Sequence, residues 1–77
     1  MDRDFILAQI AKAERDVLAG SRNLVAHRGR FERLHKAGRD TTMARTVLLR
    51  LEETQDLNVA NLTRLRSLLT RIADTEV

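Results

Sequence analysis

The fold is decided by a short stretch near the middle of the chain, residues 33–42, which reads RLHKAGRDTT. Cations precede Gly38, and glycine is the residue that most often follows the end of a helix in the left-handed conformation. Asp40 or Thr41 comes next, and either side chain can cap the first turn of a second helix. The stretch therefore predicts a turn over residues 38–40 between two helices.

On both sides of this turn, residues that are mostly apolar recur at alternating steps of four and three, the pattern of a two-helix seam. The first series is Ile6, Ile10, Ala13, Val17, Gly20, Leu24, His27, Phe31 and Leu34, and the second is Ala44, Leu48, Leu51, Gln55, Asn58, Leu62, Leu65, Leu69 and Ile72. Neither Gly20 nor the polar stretch 54–58 shifts the phase, as a loop normally would. The pattern favours two long helices, about 3–37 and 41–75, over a single-chain bundle of four short helices.

The composition agrees with an all-α fold and excludes several classes of protein. The 77 residues include no proline and three glycines, and they predict a single domain over 1–77. Without cysteine, neither a disulfide nor a thiolate zinc site can form. The acidic start of the chain and apolar runs of at most four residues predict a cytoplasmic protein with no signal peptide and no membrane association.

Closing the hairpin at Gly38 brings the two series face to face, with Leu24 opposite Gln55 and Gly20 opposite Asn58. Two interpretations of this polar layer stay open. Either it fixes the register and copy number of a bundle, or its side chains simply face water where the middle of the hairpin is loosely packed. The residues involved are Gln55, Asn58 and Asn61, with Gly20, Asn23 and His27 opposite.

Apolar residues also exceed what one seam can bury, and this excess predicts a partner surface. Those off the seam are Leu7, Leu18, Val25, Val47, Leu49, Leu57, Val59 and Leu68. We expect an antiparallel helical hairpin of two long helices that dimerises into a four-helix bundle. The predicted self-association seam comprises Ile10, Val17, Leu24, Phe31, Leu48, Leu51, Leu62, Leu65, Leu69 and Ile72.

Positive charge is concentrated around the predicted turn, where residues 22–50 hold eight Lys and Arg against two carboxylates. Arginine dominates, and its planar guanidinium suits phosphate or carboxylate ligands. The residues predicted to bind an anion or a partner are Arg28, Arg30, Arg33, Lys36, Arg39 and Arg45. No aromatic side chains are interleaved to stack on bases, so nucleic-acid binding is the second interpretation of this tip.

Other chemistry has weaker support in the sequence. His27 could accept a phosphoryl group, but it lies on the seam beside Arg28. Glu32 and His35 have the Glu-x-x-His spacing of di-iron bundles, yet they occur once and point away from the seam. No nucleophile has a histidine and carboxylate suitably spaced. We expect no enzyme, no metal and no cofactor.

The turn and the start of the second helix resemble a group of short uncharacterised bacterial two-helix proteins. The resemblance rests on Gly38-Arg39-Asp40-Thr41 followed by Ala44, Leu48, Leu49 and the run Glu52-Glu53-Thr54-Gln55. It implies a bacterial source and a helical hairpin. It implies no activity, so no functional residue is carried over to this chain.

The sequence as a whole predicts a small, non-enzymatic, self-associating helical protein that acts as a protein–protein interaction module or regulatory adaptor. Its expected partners are a second copy of itself and an unidentified protein. The alternative is a small regulator that binds RNA or DNA through the basic tip, and histidine phosphotransfer is a remote alternative.

Overall fold

A computed structural model describes residues 2–75 and contains two α-helices packed against each other as an antiparallel hairpin. Helix α1 spans Arg3–Lys36 and helix α2 spans Thr42–Thr75, each 34 residues long. The predicted all-α helical hairpin is therefore confirmed, with α1 ending one residue before, and α2 beginning one residue after, the predicted positions. Met1, Glu76 and Val77, which the predicted domain 1–77 includes, lie outside the described residues.

Helix α1 begins at a cap supplied by Asp2. The Asp2 carboxylate accepts a hydrogen bond from the Asp4 amide at 3.0 Å, and the Asp2 carbonyl accepts one from the Ile6 amide at 3.2 Å. Asp4 adds a negative charge to the first turn, where the helix dipole favours it. The acidic start of the chain thus satisfies amides that the helix itself leaves free.

The end of α1 has the geometry of a Schellman motif. The Arg39 amide donates to the Leu34 carbonyl at 2.9 Å, and the Gly38 amide donates to the His35 carbonyl at 3.0 Å. Gly38 has a φ of +67°, a conformation that other residues adopt only with strain because of their Cβ atom. The chain reverses here because Gly38 permits this conformation.

Helix α2 begins beside the carboxylate of Asp40. The Asp40 Oδ1 atom accepts hydrogen bonds from the Thr42 amide at 3.0 Å and from the Thr42 hydroxyl at 2.7 Å. The Thr41 carbonyl accepts the first helical bond, from the Arg45 amide at 2.8 Å. Both polar residues proposed from the sequence as caps therefore take part in starting this helix.

Every position of the predicted self-association seam is buried or half-buried, and the seam lies between α1 and α2 of one hairpin. The tightest packing lies near the free ends of the hairpin, in a cluster formed by Ile6, Ile10, Ala13, Leu62 and Leu65. Leu24 is also buried, whereas the seam positions nearer the turn, such as Phe31 and Leu48, are half-buried. The phase of the seam is kept from end to end, so heptad positions identify the other faces of the rod.

The polar layer joins the two helices through side-chain to main-chain hydrogen bonds. Gln55 Nε2 donates to the Val17 carbonyl at 2.8 Å, and Asn58 Nδ2 lies 3.5 Å from the Asp16 carbonyl and 3.3 Å from Gln55 Oε1. A Cβ atom built on Gly20 would collide with the Gln55 amide. Gly20 therefore faces Gln55 and Asn58, and the layer fixes the register within one hairpin.

The hairpin exposes far more surface than a globular protein of its mass. Its extents are 61 × 14 × 13 Å and its radius of gyration is 17.5 Å, compared with about 11.5 Å for a compact chain of this length. Its accessible surface is 6030 Å², compared with about 4,800 Å² from the scaling for 8.8 kDa monomers. A two-helix rod has one seam and no enclosed interior, which accounts for the excess.

Candidate functional site

The six cations predicted to form a basic tip are all exposed, but they do not form one cluster. Arg28 Nη2 lies 3.8 Å from Glu52 Oε1. The Arg45 guanidinium lies 5.8 Å from the centre of the Phe31 ring, on which the His35 ring is stacked. Because Arg28 already has a carboxylate partner and Arg45 lies over an aromatic ring, these two are less available to an anion than the other four, Arg30, Arg33, Lys36 and Arg39.

Two ion pairs bridge α1 and α2 on the same side of the hairpin. Besides Arg28 and Glu52, Arg66 Nη2 lies 3.9 Å from Glu14 Oε2. The two pairs are fourteen residues apart along each helix, which is four turns at the coiled-coil period of 3.5. We call this side the ion-paired face; its members used below are Leu7, Glu14, Leu18, Ser21, Val25, Arg28 and Glu32 of α1 and Leu49, Glu52, Asp56, Val59 and Arg66 of α2.

The ion-paired face also holds most of the exposed large apolar side chains. Leu18 is 52% exposed, Val25 68%, Leu49 55% and Val59 47%, and Leu7 lies near the free end of the same face. Val59 and Ser21 are each seven residues from both ion pairs. The face therefore consists of an apolar centre with one ion pair on each side of it along the rod.

The opposite side of the hairpin is strongly basic. Within the two helices its heptad positions hold six cations and a single carboxylate, that of Asp16. We call it the basic face, and its cations are Lys12, Arg30, Arg33, Arg50, Arg64 and Arg71. Lys12 pairs with Asp16 at 2.9 Å, and Arg64 donates to the Asn61 side-chain oxygen at 2.9 Å. Four of the nine exposed large apolar residues lie there too: Phe5, Met43, Val47 and Leu57.

The grouping of cations by helix face is not apparent from charge summed over segments of the sequence. Arg30 and Arg33 belong to both the predicted tip and the basic face, whereas Lys12, Arg64 and Arg71 lie far from the turn in sequence. The heptad register that locates the seam also reveals this grouping. All six cations occupy two positions of the repeat that are four residues apart and therefore neighbours around the helix. The basic surface extends along the rod instead of being confined to its tip.

The remaining candidates have more ordinary surroundings. His27 is half-buried on the seam, and Asn23 and Asn61 are exposed, so only Gln55, Asn58, Gly20 and His27 of the predicted polar layer are half-buried. Over residues 2–75 no group of three or more His, Asp or Glu is placed to hold a metal ion. The described part of the chain has no pocket, and neither of its helices has an apolar stretch long enough to cross a membrane.

One carboxyl group has a clearly shifted pKa. The hydrogen bond from the Thr42 amide, reinforced by that from the Thr42 hydroxyl, holds the pKa of Asp40 below its usual value. Both donors stabilise the charged form. This shift belongs to the start of α2 and indicates capping.

Comparison with protein-family models, with curated proteins and with solved structures finds no match for this chain.

Proposed function

We propose that this hairpin is a non-enzymatic interaction module that pairs with a second copy of itself to form a four-helix bundle and acts as an adaptor for another macromolecule. Self-association is the primary part of the proposal because it would bury exposed apolar side chains and so stabilise the fold. The proposal assigns the two faces different tasks. The ion-paired face meets the second copy, and the basic face is left for a partner.

The observation that carries the proposal is the number of large apolar side chains that one hairpin leaves in water. Nine are exposed, five of them on the ion-paired face, whereas only six residues form the buried core. Burying apolar surface contributes about 25 cal/mol per Å², and a typical stable interface removes about 800 Å² from each partner. The rod exposes more surface than a globular monomer by at least this amount, so an interface of typical size can form on it.

Light scattering coupled to size-exclusion chromatography tests self-association directly. We expect a molar mass of twice 8.8 kDa at micromolar concentration. A folded species at 8.8 kDa would reject the proposal. A mass that keeps growing with concentration would reject the closed dimer, because it would indicate head-to-tail association of unlike faces.

Nucleic-acid binding is the second candidate function, and the basic face favours it. Six cations along one side of a 61 Å rod could follow a phosphate backbone, which supplies most of the affinity in non-specific complexes. The partner in this case is RNA or DNA bound by charge, since the two phenylalanines of the chain are its only aromatic residues.

The test is a fluorescence anisotropy titration of RNA and DNA oligomers at about 50 and 200 mM salt, conditions between which several phosphate contacts lower the affinity steeply. The variant Arg50→Gln/Arg64→Gln removes two cations from the basic face. The matched control Arg15→Gln/Arg22→Gln removes two exposed cations from the outer side of α1 and changes the net charge equally. We expect only the first variant to lower the salt dependence, by about one unit of slope per contact. Equal effects of both variants, or no binding at low salt, would reject this function.

A further inference from the structure

We infer that the second copy packs on the ion-paired face in antiparallel orientation, about a two-fold axis that passes between the Ser21 and Val59 side chains and those of the partner. This inference rests on the proposed self-association and adds to it the surface, the orientation and the residues that meet. It commits this face to one occupant, another copy of the same chain.

The charge pattern of the face favours this pairing. At one end of the apolar centre α1 holds Glu14 and α2 holds Arg66; at the other end the signs are exchanged, with Arg28 on α1 and Glu52 on α2. Turning a second copy end to end about the centre places its Arg28 over Glu14 and its Glu52 over Arg66. Each of these four charges then meets an opposite charge from the partner, and each ion pair becomes part of a four-charge network.

The apolar side chains of the face also match in this pairing. Leu18 lies three residues before Ser21 and Val25 lies four residues after it, so an axis at Ser21 brings Leu18 against the partner's Val25, and Val25 against the partner's Leu18. Val59 meets the partner's Val59 on the axis. Three of the four most exposed apolar residues of this face, Leu18, Val25 and Val59, are thereby covered, and the small Ser21 side chain allows the helices to approach.

The antiparallel orientation follows from the same pairs and from the position of the turn. In a parallel dimer the charges would also be complementary, but Val25 would lie against the partner's Asp56 and Leu49 against the partner's Glu32. The cations around the two turns would also lie side by side. End-to-end pairing places those turns at opposite ends of the bundle, where their repulsion is weakest because they are separated by far more than a Debye length.

The basic face is excluded as the surface of self-association by its charge. An antiparallel pairing there would bring Lys12 against the partner's Arg30 and Arg50 against the partner's Arg64. A parallel pairing would oppose Arg30 and the partner's Arg50. Like charges across an interface oppose binding. Pairing through the ion-paired face leaves both basic faces on the outside of the bundle, available to another partner.

Cysteine cross-linking tests the inference, and the chain suits it because it has no cysteine of its own. Single variants Ser21→Cys and Val59→Cys are each oxidised mildly and analysed on a non-reducing gel. We expect each to form a disulfide-linked dimer, since residues on the axis meet their own copies. The control Asn23→Cys is an exposed position on the opposite side of α1 and is expected to stay unlinked.

The orientation is read from a mixture of Leu18→Cys and Val25→Cys proteins. In the antiparallel dimer these two cysteines face each other, whereas like cysteines are separated by more than the span of a disulfide. The mixture should therefore give more disulfide-linked dimer than either protein oxidised alone. Cross-linking at Ser21 without the mixed product would overturn the antiparallel orientation. Cross-linking at Asn23 instead of Ser21 and Val59 would overturn the choice of face while leaving self-association intact.

A charge-exchange variant provides a second readout that does not depend on cysteine chemistry. The variant Glu14→Arg/Arg28→Glu/Glu52→Arg/Arg66→Glu keeps both ion pairs within the hairpin and reverses all four of their charges. We expect it to pair with itself and to be at least tenfold under-represented in mixed dimers with the native chain, measured by native mass spectrometry after exchange. A statistical mixture of dimers would overturn the inferred charge contacts, and monomers alone would reject self-association itself.

Discussion

Gln55 Nε2 lies 2.8 Å from the main-chain oxygen of Val17, so a side chain of α2 is hydrogen-bonded to the backbone of α1 across the hairpin. The amide reaches this oxygen because Gly20, one turn further along α1, has no Cβ atom in its path. Asn58 reinforces the contact from the next turn of α2. Sliding either helix by a heptad would place Gln55 against larger side chains, so the contact specifies the register.

This relationship predicts that Gly20 and Gln55 are energetically coupled. In the Gln55→Ala background, Gly20→Ala should stabilise the protein by about 1 kcal/mol, because alanine favours a helix over glycine by that amount. In the native background the new methyl group displaces the Gln55 amide, and the loss of its hydrogen bond, about 1 kcal/mol, cancels the gain. Chemical denaturation of the four proteins gives the coupling energy. Additive effects would contradict the contact.

A second prediction concerns the turn. Gly38→Ala should lower the free energy of unfolding by about 1–2 kcal/mol, since a residue with a Cβ atom is strained at a positive φ. A Cβ atom at this position meets nothing within 4 Å, so the cost arises from the backbone alone. Gly38→Asn is the control, because asparagine tolerates this conformation better, and its loss of stability should be smaller. Equal losses for both variants would contradict the interpretation.

The turn and the seam could be predicted from the sequence because both depend on local chemistry. Gly38 and the cations before it identify the end of α1, and the steps of four and three continue through Gly20 without interruption, so the hairpin follows. The hydrogen bond from Gln55 to Val17 could not be predicted in the same way. It depends on the rotation of two helices about their axes, which the position of a residue on the seam does not determine.

A third prediction tests the packing of the seam. Leu62 is 8% exposed and belongs to the core near the free ends, so Leu62→Ala should cost about 2–5 kcal/mol. Leu57 provides the matched control: it is 72% exposed, and Leu57→Ala should change stability by less than about 0.5 kcal/mol. Urea unfolding followed by circular dichroism measures both variants. Similar losses would show that the helical phase is wrong.

The start of α2 leads to a prediction about pH. Hydrogen bonds from Thr42 hold the pKa of Asp40 below its usual value, so the charged carboxylate stabilises the folded state above the unfolded pKa of about 3.9. That contribution is lost as the pH falls through the lower, folded pKa. In Asp40→Asn the side chain can still cap the helix but does not titrate. Thermal unfolding from neutral to acid pH should therefore depend less on pH in the variant, and an unchanged pH dependence would contradict the assignment.

The candidate binding surface was only partly predictable, because a segment of helical sequence contributes residues to every face of the helix. Summing charge over a segment of sequence locates Arg30 and Arg33 but combines them with Arg28, which is paired with Glu52. Counting by heptad position separates the two faces and adds Arg64 and Arg71. A basic surface on a rod is a property of helix faces, so it becomes apparent only once the helical phase is known.

We propose that folding of this hairpin is coupled to its self-association. The midpoint of thermal unfolding, measured as a function of protein concentration, shows whether the two are coupled. For a dimer that unfolds to two chains, a hundredfold increase in concentration stabilises the folded state by about 2.7 kcal/mol, so the account predicts a midpoint that rises by roughly 5–10 °C. A midpoint that is independent of concentration would contradict the account, because it would mean that one hairpin is stable by itself.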